Sequence, residues 1–145
     1  MFRHLLLAYD GSKEGACALR QGAELAQALG AAVTLLAVVP APAGMLIAEA
    51  VGPEDLRGRE EALHREVLDF GLGRLAARGL VAEGRIAYGV PVDEIAACAR
   101  EVGADLIVLG HRRRGRLARW WSGSVDVSLL SRAPCSVLVA VEEEG

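Results

Sequence analysis

Asparagine is missing altogether, lysine occurs once, at Lys13, and 15 of the 16 basic residues are arginine. Scarcity of thermolabile amides is what heat adaptation leaves behind, and a GC-rich genome leaves the same trace. The three cysteines, Cys17, Cys98 and Cys135, are an odd number without a C-x-x-C pair. That argues against a zinc or redox centre and for structural thiols in a reducing compartment. No apolar run approaches the ~20 residues of a membrane-spanning helix. The opening Met1-Phe2-Arg3-His4 has neither the long apolar region nor the small-residue cleavage site of a secretion signal. A cytoplasmic protein with no membrane partner is expected. Excess charge is also scarce: 19 acidic against 16 basic residues leave a formal net charge of −3 and a pI near 5.6. A generally basic nucleic-acid binder is thereby excluded.

What is present is apolar surface. Of the 145 residues, 52% are hydrophobic, with a mean hydropathy of +0.30. A chain of this length hides roughly two-thirds of its unfolded surface in one core, so a single domain over 1–145 needs no disulfide or metal to hold it.

Hydropathy patterning alternates strand and helix. Phe2 to Tyr9 is an apolar run closed by Asp10-Gly11-Ser12, where Ser12 can cap a helix bearing Leu19, Ala23, Ala26 and Leu29 on one face. Gly30 stops that helix, and Ala32 to Val39 is a continuous apolar segment, as in a strand covered on both sides. A connection rich in Pro, Gly and Ala runs from Pro40 to about Arg59, with an apolar knot at Met45-Leu46-Ile47 suited to covering a site or a partner. A charged helix follows to about Arg78, then a strand over Val81 to Tyr88. Pro91 opens a helix with Ile95, Cys98, Ala99 and Val102 on one face, and Asp105 to Leu109 forms the fourth strand. After a loop over Gly110 to Ser122 come a short helix from Gly123 to Ser131, a stop at Ala133-Pro134 and a last strand, Ser136 to Val141. Five strands alternating with helices predict a doubly wound α/β fold around one parallel sheet. Ligands of such sheets bind beyond the carboxyl ends of the strands where strand order reverses, which directs attention to Asp10 and Gly110.

Several motifs fail in context. Gly71-x-Gly73-x-x-Ala76 has dinucleotide-fingerprint spacing but follows a helical pattern instead of a strand. Gly110-x-x-x-x-Gly115 has P-loop spacing, but Arg116-Leu117 replaces the Lys and Ser/Thr of a Walker site. The histidines His4, His64 and His111 are scattered and no G-x-S-x-G turn occurs, so hydrolytic or metal chemistry has no constellation to rest on. Gly110 leaves a strand, and Gly123-Ser124 opens a helix. The loop between them can fold back and aim helix-terminal amides at an anion. Asp10 is placed either to accept hydrogen bonds from a ribose or simply to close its turn.

At these residues the chain resembles the universal stress protein family, over nearly its whole length. The likeness is carried by Leu5-Leu6-Leu7-Ala8-Tyr9-Asp10-Gly11-Ser12, by Gly89-Val90-Pro91 with Ile95, and by Ala104-Asp105-Leu106-Ile107-Val108-Leu109-Gly110. The ending adds Gly123-Ser124-Val125 and Ala133-Pro134-Cys135-Ser136-Val137-Leu138-Val139. The resemblance implies a flavodoxin-like, adenine-nucleotide-alpha-hydrolase-like sheet with strand order 3-2-1-4-5. It also implies a homodimer paired through Ser136 to Val141, and in one branch ATP binding through G-x2-G-x9-G-[ST]. Carried over by position, adenosine contacts fall on Ala8, Tyr9, Asp10 and Val38. Phosphate contacts fall on Leu109, Gly110, His111, Arg112, Gly123, Ser124 and Val125.

Two residues depart from that pattern. Arg113 occupies the second glycine position, where its side chain either blocks the phosphate path or turns its guanidinium onto the phosphates. Asp126 stands in the first turn of the last helix, favouring the helix terminus but opposing a bound anion. The five arginines between 112 and 119 suit phosphate capture, a solvated loop, or a docking patch for an acidic protein or nucleic acid. Trp120-Trp121 suits base stacking or packing. The expectation is a non-enzymatic, nucleotide-responsive stress protein that binds ATP, with or without Mg2+, and signals to a protein partner of unknown identity. The alternative is a nucleotide-free interaction protein of the same fold, blocked by Arg113.

Overall fold

Leu5, Leu6 and Leu7 are all fully buried although they alternate between opposite faces of a strand, so that strand is covered on both sides. It is β1 (His4–Ala8). With β2 (Ala32–Pro40), β3 (Glu83–Gly89), β4 (Leu106–His111) and β5 (Ser136–Val141) it forms one parallel sheet in the order β3-β2-β1-β4-β5. The computed structural model describes residues 1–40, 54–111 and 125–141. Met45-Leu46-Ile47, the arginine run 112–119 and Trp120-Trp121 lie outside the described residues.

Helices α1 (Lys13–Leu29) and α2 (Glu54–Ala77) cover one face, where Ala18, Ala23 and Leu75 pack on Leu5, Leu7 and Leu35. Helices α3 (Pro91–Val102) and α4 (Val125–Arg132) cover the other, where Ile95, Ala99 and Leu129 pack on Leu6, Leu36 and Ile107. Each fully buried leucine or isoleucine contributes about 1.5–3 kcal/mol of transfer free energy, so the two layers hold the sheet without a crosslink. Cys17 and Cys98 are buried, Cys135 is half-buried and all three are unbonded. Burial pushes the Cys98 and Cys135 thiols up, which keeps them protonated and unreactive.

Side chains draw the element boundaries. Ser12 caps α1 by accepting the Gly15 N–H at 3.0 Å. The first strand, expected from Phe2, begins at His4, because the N–H groups of Arg3 and His4 are taken by the Asp105 carboxylate at 2.8 and 3.0 Å. The third begins at Glu83 and not at Val81, which is 98% exposed. β3 is a sheet edge whose residues Glu83, Gly84 and Tyr88 are exposed, so it lacks the two-sided apolar character of β1 and β2. β4 runs two residues past Leu109, since Gly110 and His111 pair with Ala140 and Val141. α2 starts at Glu54, before the expected Arg59, and α4 at Val125. Among the described residues no helix is long and apolar enough to cross a membrane.

Candidate functional site

Unequal strand lengths open a crevice. Pairing of β1 with β2 ends at Ala8 and Leu36, and with β4 at Leu7 and Val108. β2 continues to Pro40 and β4 to His111, so β2 alone projects ~13 Å beyond the end of β1 at 3.3 Å per residue. The crevice lies where strand order reverses, and Asp10 stands at its floor.

Asp10 is 4% exposed. Its Oδ1 accepts the Ser12 N–H at 2.9 Å and the Ser12 hydroxyl, while its Oδ2 is buried without a hydrogen-bond partner among the described residues. The carboxylate sits at the N-terminus of α1, whose dipole favours negative charge there. A buried polar oxygen with no partner costs roughly 1–3 kcal/mol, so Oδ2 is an acceptor held ready for a donor. The reversal beside it depends on Gly11, at φ +83°, where a Cβ would also meet Val67 of α2 at 3.2 Å.

Main-chain groups supply the adjoining wall. The Leu36 carbonyl accepts the Tyr9 N–H at 3.0 Å. Because main-chain groups along a strand alternate edges, Val38 turns its N–H and C=O to that same edge, beyond the end of β1. An N–H beside a C=O matches the acceptor and donor on the Watson–Crick edge of adenine.

The side chains of the expected contacts divide differently. Ala8, Val38 and Leu109 are buried in the layer under α3 and α4, so only their backbones can meet a ligand. Tyr9 turns its ring into the opposite layer, against Gly15 and Gly71, where burial and then Asp10 push its phenol up. Gly110 is buried at the end of β4, and His111 and Val125 are placed as backbone there and at the start of α4. Arg112, Arg113, Gly123 and Ser124 lie outside the described residues. Among those described, no group of three or more His, Cys, Asp or Glu side chains could hold a metal.

One of the three scattered histidines proves to be buried. His64 on α2 is 1% exposed, its Nδ1–H donates to the Glu60 carbonyl at 2.8 Å, and its Nε2 has no partner. Gln27 on α1 donates to the Arg78 carbonyl just beyond α2, which sets the carboxyl ends of the two helices side by side. Their amino ends therefore lie at the crevice end of the sheet. His64 stands just over one turn, about 6 Å, nearer that end than Leu68. Only its unusual place on an apolar helical face (with Leu68, Gly71 and Leu75) could have marked it in the sequence.

The profile of the universal stress protein family matches residues 1–140. A universal stress protein of Thermus aquaticus is 33% identical over 147 residues, covering 96% of this chain and 98% of that one. The solved universal stress protein UspA of Lactobacillus plantarum is 25% identical, with a TM-score of 0.78, covering 95% of this chain and 97% of that one. Two further solved structures share the fold. A universal stress protein in complex with cAMP is 24% identical, with a TM-score of 0.69, covering 95% of this chain and 96% of that one. A member from Arabidopsis thaliana with AMP bound is 19% identical, with a TM-score of 0.71, covering 98% and 93%.

Proposed function

Because this chain belongs to the universal stress protein family, we propose that it binds an adenine nucleotide in the crevice beyond β1 and β4, as a cytoplasmic homodimeric binding module. The observation that carries the reading is the Asp10 carboxylate, buried at the strand-order reversal with Oδ2 unpartnered. A ribose hydroxyl is the donor of the right kind and size to complete it.

The remaining contacts follow from the same geometry. Val38 offers its carbonyl to the adenine amino group and its N–H to the ring nitrogen beside it. Guanine, with a carbonyl where adenine has the amino group, would set acceptor against acceptor and be rejected. The main chain of Leu109, Gly110 and His111 leads from the ribose towards Arg112, Arg113, Gly123 and Ser124, the residues expected to meet phosphate. Family members of the same fold with cAMP and AMP bound support an adenine nucleotide. ATP, with Mg2+ neutralising its phosphates, is the form that the arginine run favours. The contacts are a carboxylate already engaged by Ser12 and main-chain amides, which hold a ligand without activating a water. The role is therefore binding and not turnover.

Calorimetric titration of the full chain with AMP, ATP and MgATP tests this, with GMP as the control. Saturable binding of at least one adenine nucleotide below ~1 mM, with GMP at least tenfold weaker, is expected. Absence of saturable binding by all three to the folded chain overturns the reading.

A further inference from the structure

On the face of the sheet covered by α1 and α2, away from the nucleotide crevice, the two helices enclose a second hollow of about 190 Å³. Its apolar lining is Leu19, Ala23 and Leu75, and Arg20, Arg74 and Arg78 stand around it. All three arginines are exposed, so they are free to turn towards a ligand at the rim of this hollow.

Their partners are few. Arg65 and Arg85 are each bonded to a carboxylate at about 3.0 Å, to Glu61 and Glu101. Arg20 and Arg74 form no ion pair among the described residues. Arg78 has only a loose one, with Glu24 at 4.0 Å. Arg74 is held in place by an aromatic ring instead, its guanidinium 5.8 Å from the centroid of Phe70, which is 58% exposed on the same rim.

An independent observation comes from Tyr9. The residue is 4% exposed and lines the hollow, and its phenol oxygen, which is open to the hollow, forms no hydrogen bond with a described residue. Burial keeps the phenol protonated, so it faces the hollow as a neutral donor. Guanidinium groups, a phenol donor and an apolar floor thus line one space.

We propose that the hollow between α1 and α2 binds a small organic anion with a flat apolar body, an aromatic phosphate monoester or carboxylate. The acidic head takes the donors of Arg74, Arg20 and Tyr9. The ring lies on Leu19 and Leu75 beside Phe70. This site is separate from the nucleotide crevice and does not depend on the reading given for it.

Nitrogen-15 NMR of the full-length chain titrated with phenyl phosphate tests the proposal. Inorganic phosphate and benzyl alcohol serve as the head-only and body-only probes. Saturable shifts confined to the amides of Tyr9 and of residues 16–23 and 70–78, at a Kd of roughly 1 mM or below, are expected for a single-ring ligand. Arg74→Gln, an exposed and fold-neutral change, weakens binding roughly tenfold through loss of one charge-assisted hydrogen bond, and Tyr9→Phe weakens it severalfold. Arg65→Gln, an exposed arginine of α2 outside the hollow, leaves it unchanged, which shows that the loss of one positive charge is not by itself what weakens binding. Inorganic phosphate binding as tightly as phenyl phosphate, shifts centred on the crevice, or affinity indifferent to Arg74→Gln would each overturn the proposal.

Discussion

Ser12 engages one oxygen of the Asp10 carboxylate twice, through its N–H at 2.9 Å and through its hydroxyl, and the other oxygen is left buried and bare. The same hydroxyl oxygen accepts the Gly15 N–H at 3.0 Å, so one serine both orients the carboxylate and starts α1. Asp10→Asn keeps an acceptor for Ser12 but removes the charge and turns an N–H2 group towards the crevice. Adenine nucleotide affinity falls roughly tenfold or more, since a charge-assisted contact is lost. Stability in urea is unchanged or rises, because no charge is left buried beside an unfilled acceptor. Ser12→Ala separates the two duties and costs about 1 kcal/mol of stability through the lost cap, besides weakening binding. Calorimetric titration read beside urea midpoints checks both variants.

Glycines of α2 give a paired test of helix packing. A Cβ on Gly71 would lie 2.6 Å from Leu35 Cδ2 and 3.1 Å from the Tyr9 ring, both inside the core, whereas one on Gly73 would meet nothing within 4 Å. Gly71→Ala therefore overpacks the contact between α2 and the sheet and costs about 1–3 kcal/mol. Gly73→Ala adds helix propensity without a clash and stabilises by about 0.5–1 kcal/mol. Thermal melts of the two variants, two residues apart, move in opposite directions. Equal shifts would mean that α2 does not lie against Leu35 as described.

Asp105 is expected to make stability fall in acid. The N–H of His4, and then that of Arg3, hold its carboxyl below the usual aspartate range. A carboxyl whose folded pKa is depressed contributes stability above its unfolded value, near ~3.9, and loses it as pH falls through the lower folded value. Asp105→Asn removes that slope. Urea midpoints of variant and parent differ most at neutral pH and converge as pH falls through the depressed folded value, where the parent carboxyl is protonated too. A gap between them that is constant down to the lowest pH measured would contradict the assignment.

Much of this architecture is legible in the sequence because short-range signals agree with the tertiary ones. Leu5 to Leu7 are apolar without interruption, Val33 to Val38 are apolar but for Thr34, and both runs prove buried on both faces, and Ser12 and Gly30 cap α1 where their chemistry predicts. The boundaries of β3 were hidden because it is an edge: Val81 reads as a strand residue but is 98% exposed. In α2 the buried face is written in His64, Leu68, Gly71 and Leu75, while Leu63 and Phe70 are 40% and 58% exposed, so hydropathy alone points to the wrong stripe. Asp10 could be suspected from its place at the end of a strand. The outward edge of Val38 could not be read from its type, because main-chain direction depends on which strand pairs and where the pairing stops.

The outer edge of β5 carries the last expectation. Among the described residues its only sheet neighbour is β4, so its opposite edge bears main-chain groups that none of them pairs, and Leu138 is 37% exposed beside Gln21 and Leu25 of α1. An open parallel-sheet edge of this kind recruits another strand unless something covers it. A six-residue strand buries too little to hold a dimer by itself, since stable pairs bury ~800 Å² on each partner. Leu138 with its α1 neighbours, together with Leu130 of α4 at 61% exposure, supplies apolar area for a two-fold contact around the strand. Sedimentation of the unaltered chain at micromolar concentration is expected to give twice its mass of 15.3 kDa. Leu138→Lys sets like charges across the two-fold axis and shifts the chain towards the single mass, while its circular dichroism and nucleotide affinity are retained. A parent chain that sediments as a monomer, or a dimer indifferent to this substitution, would move the interface away from β5.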